Sequence, residues 1–196
     1  KIFIIAVLLG SIFTSSCTKS LLLIQGNGDI VTETLDIDPF TKLEMNGAFE
    51  TVITYGTEQQ VIVTGDSNIV KRIKTGVSTE VWAMELERGQ YGDYDLSFNI
   101  TMTALDEVTN NGVAKIEVAD FPKQEDFRVV LNGAGNFQGF NLPTENCTVE
   151  INGMGLCEVN AEGTLDVTID GAGEVIYMGE PDVTRSINGL GTVKRK

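Results

Sequence analysis

The residues that could do chemistry concentrate in one polar, Gly-rich loop, which contains Tyr91, Asp93, Tyr94 and Asp95. Carboxylate oxygens are the ligands that Ca²⁺ takes in proteins, so the two aspartates could contribute to a local cation site. The simpler interpretation is a solvated acidic loop, and we expect no bound metal. Aromatic rings beside polar groups are what a glycan site requires. These four residues are therefore our candidates for ligand binding.

The composition of the chain excludes most catalytic machinery. It contains no histidine, which rules out His-based triads, imidazole acid-base catalysis and the common metal triads. With 28 acidic residues some carboxylates must lie close together, but no spacing singles out the pair that a glycosidase needs. We expect a protein that is not an enzyme, with no catalytic residues and no cofactor; a carbohydrate-active enzyme is the less favoured alternative.

The charge balance restricts the partners. The 196 residues include 28 acidic and 14 basic ones, which gives a formal net charge of −14. Such a chain is a poor partner for DNA or RNA, whose binding requires cations to neutralise phosphates. It is equally unsuited to electrostatic docking on an anionic lipid surface. Any membrane association would need an anchor.

The N-terminus offers an anchor. An apolar run over residues 2–13 follows Lys1 and has the length of a signal-peptide core rather than of a membrane span. The small residues that follow end at Cys17, an arrangement that resembles a bacterial lipobox. We predict a lipoprotein signal peptide over residues 1–17, an acylated Cys17 that holds the protein to the membrane, and a tether over residues 18–33. A plain cleaved signal or a small transmembrane anchor are the alternatives.

Four copies of the motif [Leu/Ile]-[Asn/Asp]-Gly-x-Gly organise the C-terminal half of the chain. The turn residues of these copies are Asn132, Gly133, Gly135, Asn152, Gly153, Gly155, Asp170, Gly171, Gly173, Asn188, Gly189 and Gly191. Aligning the copies on the first glycine produces columns of apolar residues with period two on both sides of the turn. Each copy therefore predicts a strand, a tight turn and a second strand, and a spacing of about 18 to 21 residues is typical of stacked repeats.

The columns also assign roles to the polar and small residues. Glycine suits the turns because it tolerates positive φ and lets successive repeats stack closely. The Asn and Asp residues before the glycines are expected to form a ladder of side-chain hydrogen bonds, in which Asp170 can accept but cannot donate. Cys147 and Cys157 fall in two different apolar columns, which favours buried thiols over a disulfide.

The Gly-x-Gly turns, with the runs over residues 169–181 and 186–194, resemble the head GIN domain family of auto-transporter adhesins. Looser matches lie at residues 40–43, 61–68 and 100–102, so the resemblance begins near residue 34. It implies an all-β domain over residues 34–196, built as a right-handed parallel β-helix of the pectate-lyase type. It also implies an envelope lipoprotein of the outer membrane, facing the periplasm or the cell surface, and no settled activity.

The functional hypothesis is a non-catalytic adhesion or binding module for glycan or protein ligands. The alternative is a structural or assembly protein of the cell envelope. Stacked repeats leave open strand edges at their ends, so a homo-oligomer is possible.

Overall fold

The protein is described by a computed structural model that covers residues 23–196. The predicted signal peptide, Cys17 and the first residues of the predicted tether lie outside this range. The described chain is almost entirely β-structure, with one short helix, α1 (Ser67–Val70). The strands are β1 (Leu23–Ile24), β2 (Ile30–Leu35), β3 (Lys42–Met45), β4 (Ala48–Tyr55), β5 (Gln60–Asp66), β6 (Val77–Ser78), β7 (Val81–Met84), β8 (Gln90–Tyr91), β9 (Leu96–Met102), β10 (Glu107–Asn110), β11 (Val113–Ala119), β12 (Gln124–Leu131), β13 (Ala134–Ile151), β14 (Met154–Ile169), β15 (Ala172–Met178), β16 (Asp182–Ile187) and β17 (Leu190–Arg195).

Strands form where apolar residues alternate with polar ones, because one face of each strand packs on the core. In β9, Leu96, Phe98, Ile100 and Met102 are buried while the residues between them are more exposed. The same alternation in the sequence predicts extended strands over residues 60–64, 80–87 and 94–103, and the structure confirms them as β5, β7 and β9. The sequence also predicts a helix-like stretch over residues 67–74, but the helix observed there, α1, ends at Val70.

The columns deduced from the repeats are confirmed as the register of β12, β13, β14 and β16. Leu131, Ile151, Ile169 and Ile187 lie side by side in parallel strands. The first three are fully buried, whereas Ile187, in the last strand, is 40% exposed. Residues that are equivalent in sequence therefore occupy equivalent positions in the core.

The strands form two ladders that share β13 and β14. The front ladder runs in the order β2-β5-β9-β4-β11-β13-β14-β15-β17, and the back ladder in the order β6-β7-β3-β10-β12-β13-β14-β16. The first part of β13 pairs with β11 and its last part with β12, so this long strand carries the sheet from one ladder to the other. The buried side chains form one hydrophobic core cluster enclosed by the curled sheet. Trp82 is a fully buried member of this cluster and donates its indole N–H to the Lys74 carbonyl oxygen at 3.1 Å.

The prediction of a right-handed parallel β-helix is wrong. The sheet is a mixed one, in which an eleven-strand path from β2 to β6 curls into a half-barrel. Antiparallel pairs join β2 to β5, β5 to β9, and β6 to β7. The physical reason is the short connection over residues 56–59, which reverses the chain after β4. A parallel neighbour requires a longer crossover, such as the segments that lead from β3 to β7 and from β4 to β9.

The sheet begins before residue 34. β1 pairs with β8, and β2 pairs with β5, so residues 23–33, which were assigned to the tether, contribute strands to the described structure. Within residues 23–196, no helix has the length and hydrophobicity needed to cross a membrane.

Candidate functional site

The first glycines of the four motifs allow adjacent repeats to approach closely. A Cβ atom on Gly153, for example, would overlap the carbonyl oxygen of Gly133, and the same holds for Gly171 on Gly153 and Gly189 on Gly171. None of these residues has a positive φ; within residues 23–196 the glycines that do are Gly28 and Gly179. The expectation of left-handed turns at the motif is therefore wrong, and the expectation of close stacking is confirmed.

The Asn residues before these glycines form the expected ladder along one side of the turns. The side-chain amides of Asn111, Asn132 and Asn152 each donate to the Asn of the preceding strand at 2.8 Å. Asn188 donates to the carboxylate of Asp170 at the same distance. The side chains are exposed, so the ladder presents a line of amide groups to solvent.

On the other side of the ladder runs a line of apolar side chains, which we name the corner stripe. Its members are the residues between the two glycines of each motif and their counterparts upstream, and each is in register with the next. The corner stripe consists of Ala48, Val113, Ala134, Met154, Ala172 and Leu190. Val113 and Met154 are each 62% exposed and Leu190 is 82% exposed. Neighbouring members are about 4.8 Å apart, the spacing of adjacent strands.

The sequence analysis did not predict the corner stripe, because the residue type at this position of the repeat varies between Ala, Val, Met and Leu. The only signal was positional: each member stands between two glycines that the alignment had already placed. Successive residues of a strand face opposite sides of the sheet. A Cβ atom on Gly173 would meet the buried side chain of Ile151, so the preceding residue, Ala172, faces outward.

A groove of about 830 Å³ lies at the Ala48 end of the corner stripe. Ala48, Val113 and Ala134 contribute apolar side chains to its lining, and so does Ile30 of the edge strand β2. Its polar lining comes from the front ladder, where Glu50, Lys115 and Asn136 are in register across three strands. Tyr94 and Asp95, from the loop that interrupts the repeats, form another part of its wall. The groove thus offers apolar surface with hydrogen-bonding groups beside it.

Of the four residues predicted to bind a ligand, Tyr91, Asp93, Tyr94 and Asp95, the structure places two in the lining of this groove. Tyr94 and Asp95 line it, whereas Asp93 lines a neighbouring depression. Tyr91 supports Tyr94 edge to face, with ring centroids 6.0 Å apart, and donates its hydroxyl to the Glu87 carbonyl oxygen at 2.6 Å. Burial raises the pKa of the Tyr94 hydroxyl, and a hydrogen bond with the Ala48 backbone partly offsets that effect. Tyr94 is therefore a protonated hydroxyl at neutral pH.

Asp66 holds the wall of the groove in place. Its side chain is almost fully buried and accepts hydrogen bonds from the backbone N–H groups of Gly28 and Asp95, at 2.6 and 2.9 Å. One carboxylate thus ties the start of the chain to the loop that carries Tyr94. No motif in the sequence pointed to Asp66.

The described residues provide no site for metal or thiol chemistry. Within residues 23–196, no three His, Cys, Asp or Glu side chains converge as a metal site requires. Cys147 and Cys157 are free and buried, which confirms the prediction of buried thiols. Burial raises the pKa of the Cys147 thiol to about 12 and that of Cys157 well above its ordinary value. The reactive thiolate is therefore scarce at neutral pH.

Comparison with solved structures finds similar bacterial proteins, and the alignment with a TM-score of 0.60 shows a shared fold. A "putative adhesin" from Bacteroides fragilis aligns with a TM-score of 0.60 at 18% identity, over 88% of this chain and 100% of that one. A "putative adhesin" from Parabacteroides merdae aligns with a TM-score of 0.43 at 17% identity, over 88% of this chain and 98% of that one. A "putative lipid binding protein" from Parabacteroides distasonis aligns with a TM-score of 0.40 at 17% identity, over 89% and 100%. A search of curated proteins found no match.

The family comparison is more specific than the structural one. The model of the family described as "putative auto-transporter adhesin, head GIN domain" matches residues 39–139 and, in a second alignment, residues 122–181. Together the two alignments cover the chain from just before β3 to just after β15, including three of the four Gly-x-Gly motifs. The chain belongs to the head GIN domain family.

Proposed function

We propose that this protein is a non-catalytic adhesion module of the cell envelope, which binds a glycan or protein ligand along the corner stripe and the adjoining groove. The observation that carries the proposal is the row of exposed apolar side chains Val113, Met154 and Leu190, which alternate along the stripe with partly exposed alanines. Contiguous apolar surface rimmed by polar groups is characteristic of interaction sites on soluble domains. Here the rim consists of the Asn ladder on one side and the polar row of Glu50, Lys115 and Asn136 on the other.

The backbone beneath the stripe supports a binding role because it is preorganised. Each glycine of the motif sits against the carbonyl oxygen of the preceding repeat, and the backbone amide of Met154 donates to Gly133 at 3.0 Å. A ligand that docks on this surface does not have to order it first, so less of the binding free energy is lost. The mixed lining suits a sugar, which has an apolar ring face and peripheral hydroxyls, and also suits an amphipathic protein segment.

The proposal includes export and a lipid anchor at Cys17. The support comes from the signal-like run over residues 2–13, from the small residues before Cys17, and from membership in a family described as adhesins. Protease treatment of intact and permeabilised cells tests the location. Degradation on intact cells is the result expected of a surface adhesin. Protection until permeabilisation would contradict cell-surface adhesion and leave a periplasmic binding role.

A pair of matched variants tests the binding surface. Met154→Lys places a charge in the middle of the corner stripe, and Thr164→Lys places the same charge at an exposed position of the same strand on the back ladder. The proteins are compared on arrays of purified glycans and extracellular-matrix proteins. We expect wild type and Thr164→Lys to bind the same array members, and Met154→Lys to bind them about tenfold more weakly or not at all. Equal binding by all three proteins, or no binding by wild type, would refute the proposal.

A further inference from the structure

We propose that copies of this protein associate head to tail, with the β17 edge of one copy pairing with the β2 edge of the next. These two strands are the ends of the front ladder. Within residues 23–196, β17 pairs only with β15 and β2 pairs only with β5. Each therefore has a row of backbone N–H and C=O groups free to pair with another strand.

The direction of the strands permits this pairing without rotating the second copy. β2 is antiparallel to β5, and β5 is antiparallel to β9, so β2 and β9 run the same way. Every further step from β9 to β17 is parallel. A second copy that is displaced along the stack thus adds its β2 to β17 as one more parallel strand.

The two edges also match in their apolar side chains. Leu190 is the last member of the corner stripe, and Ile30, in the edge strand β2, lines the groove that adjoins Ala48. They are among the exposed apolar residues, at 82% and 50%. The pairing that continues the stripe sets Leu190 beside Ile30 of the next copy and covers both. Val183 and Ile187 of β16 lie at the same end of the molecule. They are 37% and 40% exposed, although the equivalent residues of the preceding repeat, Leu165 and Ile169, are buried.

The charges at the two edges are complementary. Residues 23–41 contain four acidic residues and no basic one, and residues 183–196 contain four basic residues and no acidic one. In the register that sets Leu190 beside Ile30, Lys194 and Lys196 fall beside the segment that carries Glu33, Asp36 and Asp38. Lys194 and Arg195 already contact Glu174 and Glu180, but their side chains are 56% and 55% exposed and remain accessible to a second carboxylate.

The same charges oppose the other ways in which free edges could meet. Two β2 edges would bring carboxylates together, and two β17 edges would bring cations together, so like edges are disfavoured. Only the unlike pair is attractive. A contact between two different surfaces does not close on itself as a twofold dimer does, and it produces a series of increasing length.

Two charge-reversal variants and their mixture test this proposal by analytical ultracentrifugation of the purified protein. The first is Lys194→Glu with Lys196→Glu, and the second is Glu33→Lys with Asp36→Lys. The control, Lys71→Glu with Arg88→Glu, changes the net charge as the first variant does but leaves both edges and the groove intact. Circular dichroism confirms that each variant is folded.

At low salt we expect wild type and the control to form a concentration-dependent series of species beyond the dimer. Each edge variant alone should associate about tenfold more weakly or more, and the mixture of the two should regain association, because the reversed edges are again complementary. High salt should weaken the wild-type series. A wild-type protein that stays monomeric at low salt, or a mixture that associates no better than its components, would overturn the proposal.

Discussion

Asn152 and Asp170 occupy successive steps of the Asn ladder, yet among the described residues no hydrogen bond joins their side chains. Asn152 donates to Asn132, and Asp170 accepts from Asn188, both at 2.8 Å. The carboxylate of Asp170 has no hydrogen to offer the amide oxygen of Asn152. The ladder is therefore interrupted at this one step.

Replacing Asp170 by Asn should restore the missing hydrogen bond. Because the position is exposed, the expected gain in the free energy of unfolding is small, about 0.5–1 kcal/mol. The reverse change, Asn132→Asp, removes the donation to Asn111 and should destabilise the protein by a similar amount. Urea unfolding of both variants measures these effects. If Asp170→Asn were no more stable than wild type, the amide ladder would contribute nothing to stability.

The close stacking of the glycines gives a second prediction. Gly153→Ala places a Cβ atom against the Gly133 carbonyl oxygen, and relief requires the two repeats to move apart. Overpacking of this kind costs about 1–3 kcal/mol. Gly76→Ala is the matched control, because no atom lies within 4 Å of its Cβ position. That change should be neutral or slightly stabilising. Equal thermal stability of the two variants would contradict the role assigned to the glycine column.

Two buried threonines differ in their hydrogen bonding and should respond oppositely to valine. Thr51 is buried in the core, and its hydroxyl has no partner among residues 23–196. Thr144 is equally buried but donates its hydroxyl to the Asn160 carbonyl oxygen at 3.0 Å. Thr51→Val should stabilise the protein by about 1 kcal/mol, and Thr144→Val should destabilise it by about 1–2 kcal/mol. Chemical denaturation of both variants measures whether each substitution raises or lowers the free energy of unfolding. A loss of stability in Thr51→Val would refute the argument.

The register of the repeats could be read from the sequence because each column keeps its chemical type. Leu131, Ile151, Ile169 and Ile187 are interchangeable in a core, and their spacing follows the repeat. The antiparallel N-terminal part could not be read in this way. There the path depends on a short reversal over residues 56–59, which has no counterpart among the repeats.

The β6–β7 hairpin shows why the residue preferences of turns do not predict the chain path in this region. Its two turn residues, Thr79 and Glu80, have φ of 53° and 62°, in a type of turn that normally carries Asn-Gly or Asp-Gly. The surrounding structure imposes the turn, since the Glu80 carbonyl oxygen accepts from the backbone of both Thr41 and Lys42. A conformation that is fixed by a distant strand leaves no signature in the turn residues themselves.

The candidate site was predictable only in part, for a similar reason. Tyr94 and Asp95 stood out because their loop interrupts the repeats, and they do line the groove. Met154 and Val113 did not stand out, because an exposed position accepts any small or apolar residue and so shows no pattern of residue type. Their alignment appears only when the strands are placed in register.

The buried thiols make the stability of the protein sensitive to alkaline pH. Cys147 has a folded pKa of about 12 against an ordinary value of 9.0, and burial shifts Cys157 in the same direction. A raised pKa means that the folded state retains the proton at pH values where the unfolded state loses it. The contribution of the thiols is fully present below about pH 9 and is lost progressively as the pH rises toward about 12.

A variant without these thiols isolates their contribution. Cys147→Ala with Cys157→Ala should be less stable than wild type at about pH 8, because two buried side chains become smaller. The difference in the free energy of unfolding should shrink at about pH 11, because only wild type gives up stability as its unfolded thiols ionise. Urea unfolding of both proteins across this range provides the comparison. If the two stability curves ran parallel, the thiols would not be responsible for any alkaline loss of stability.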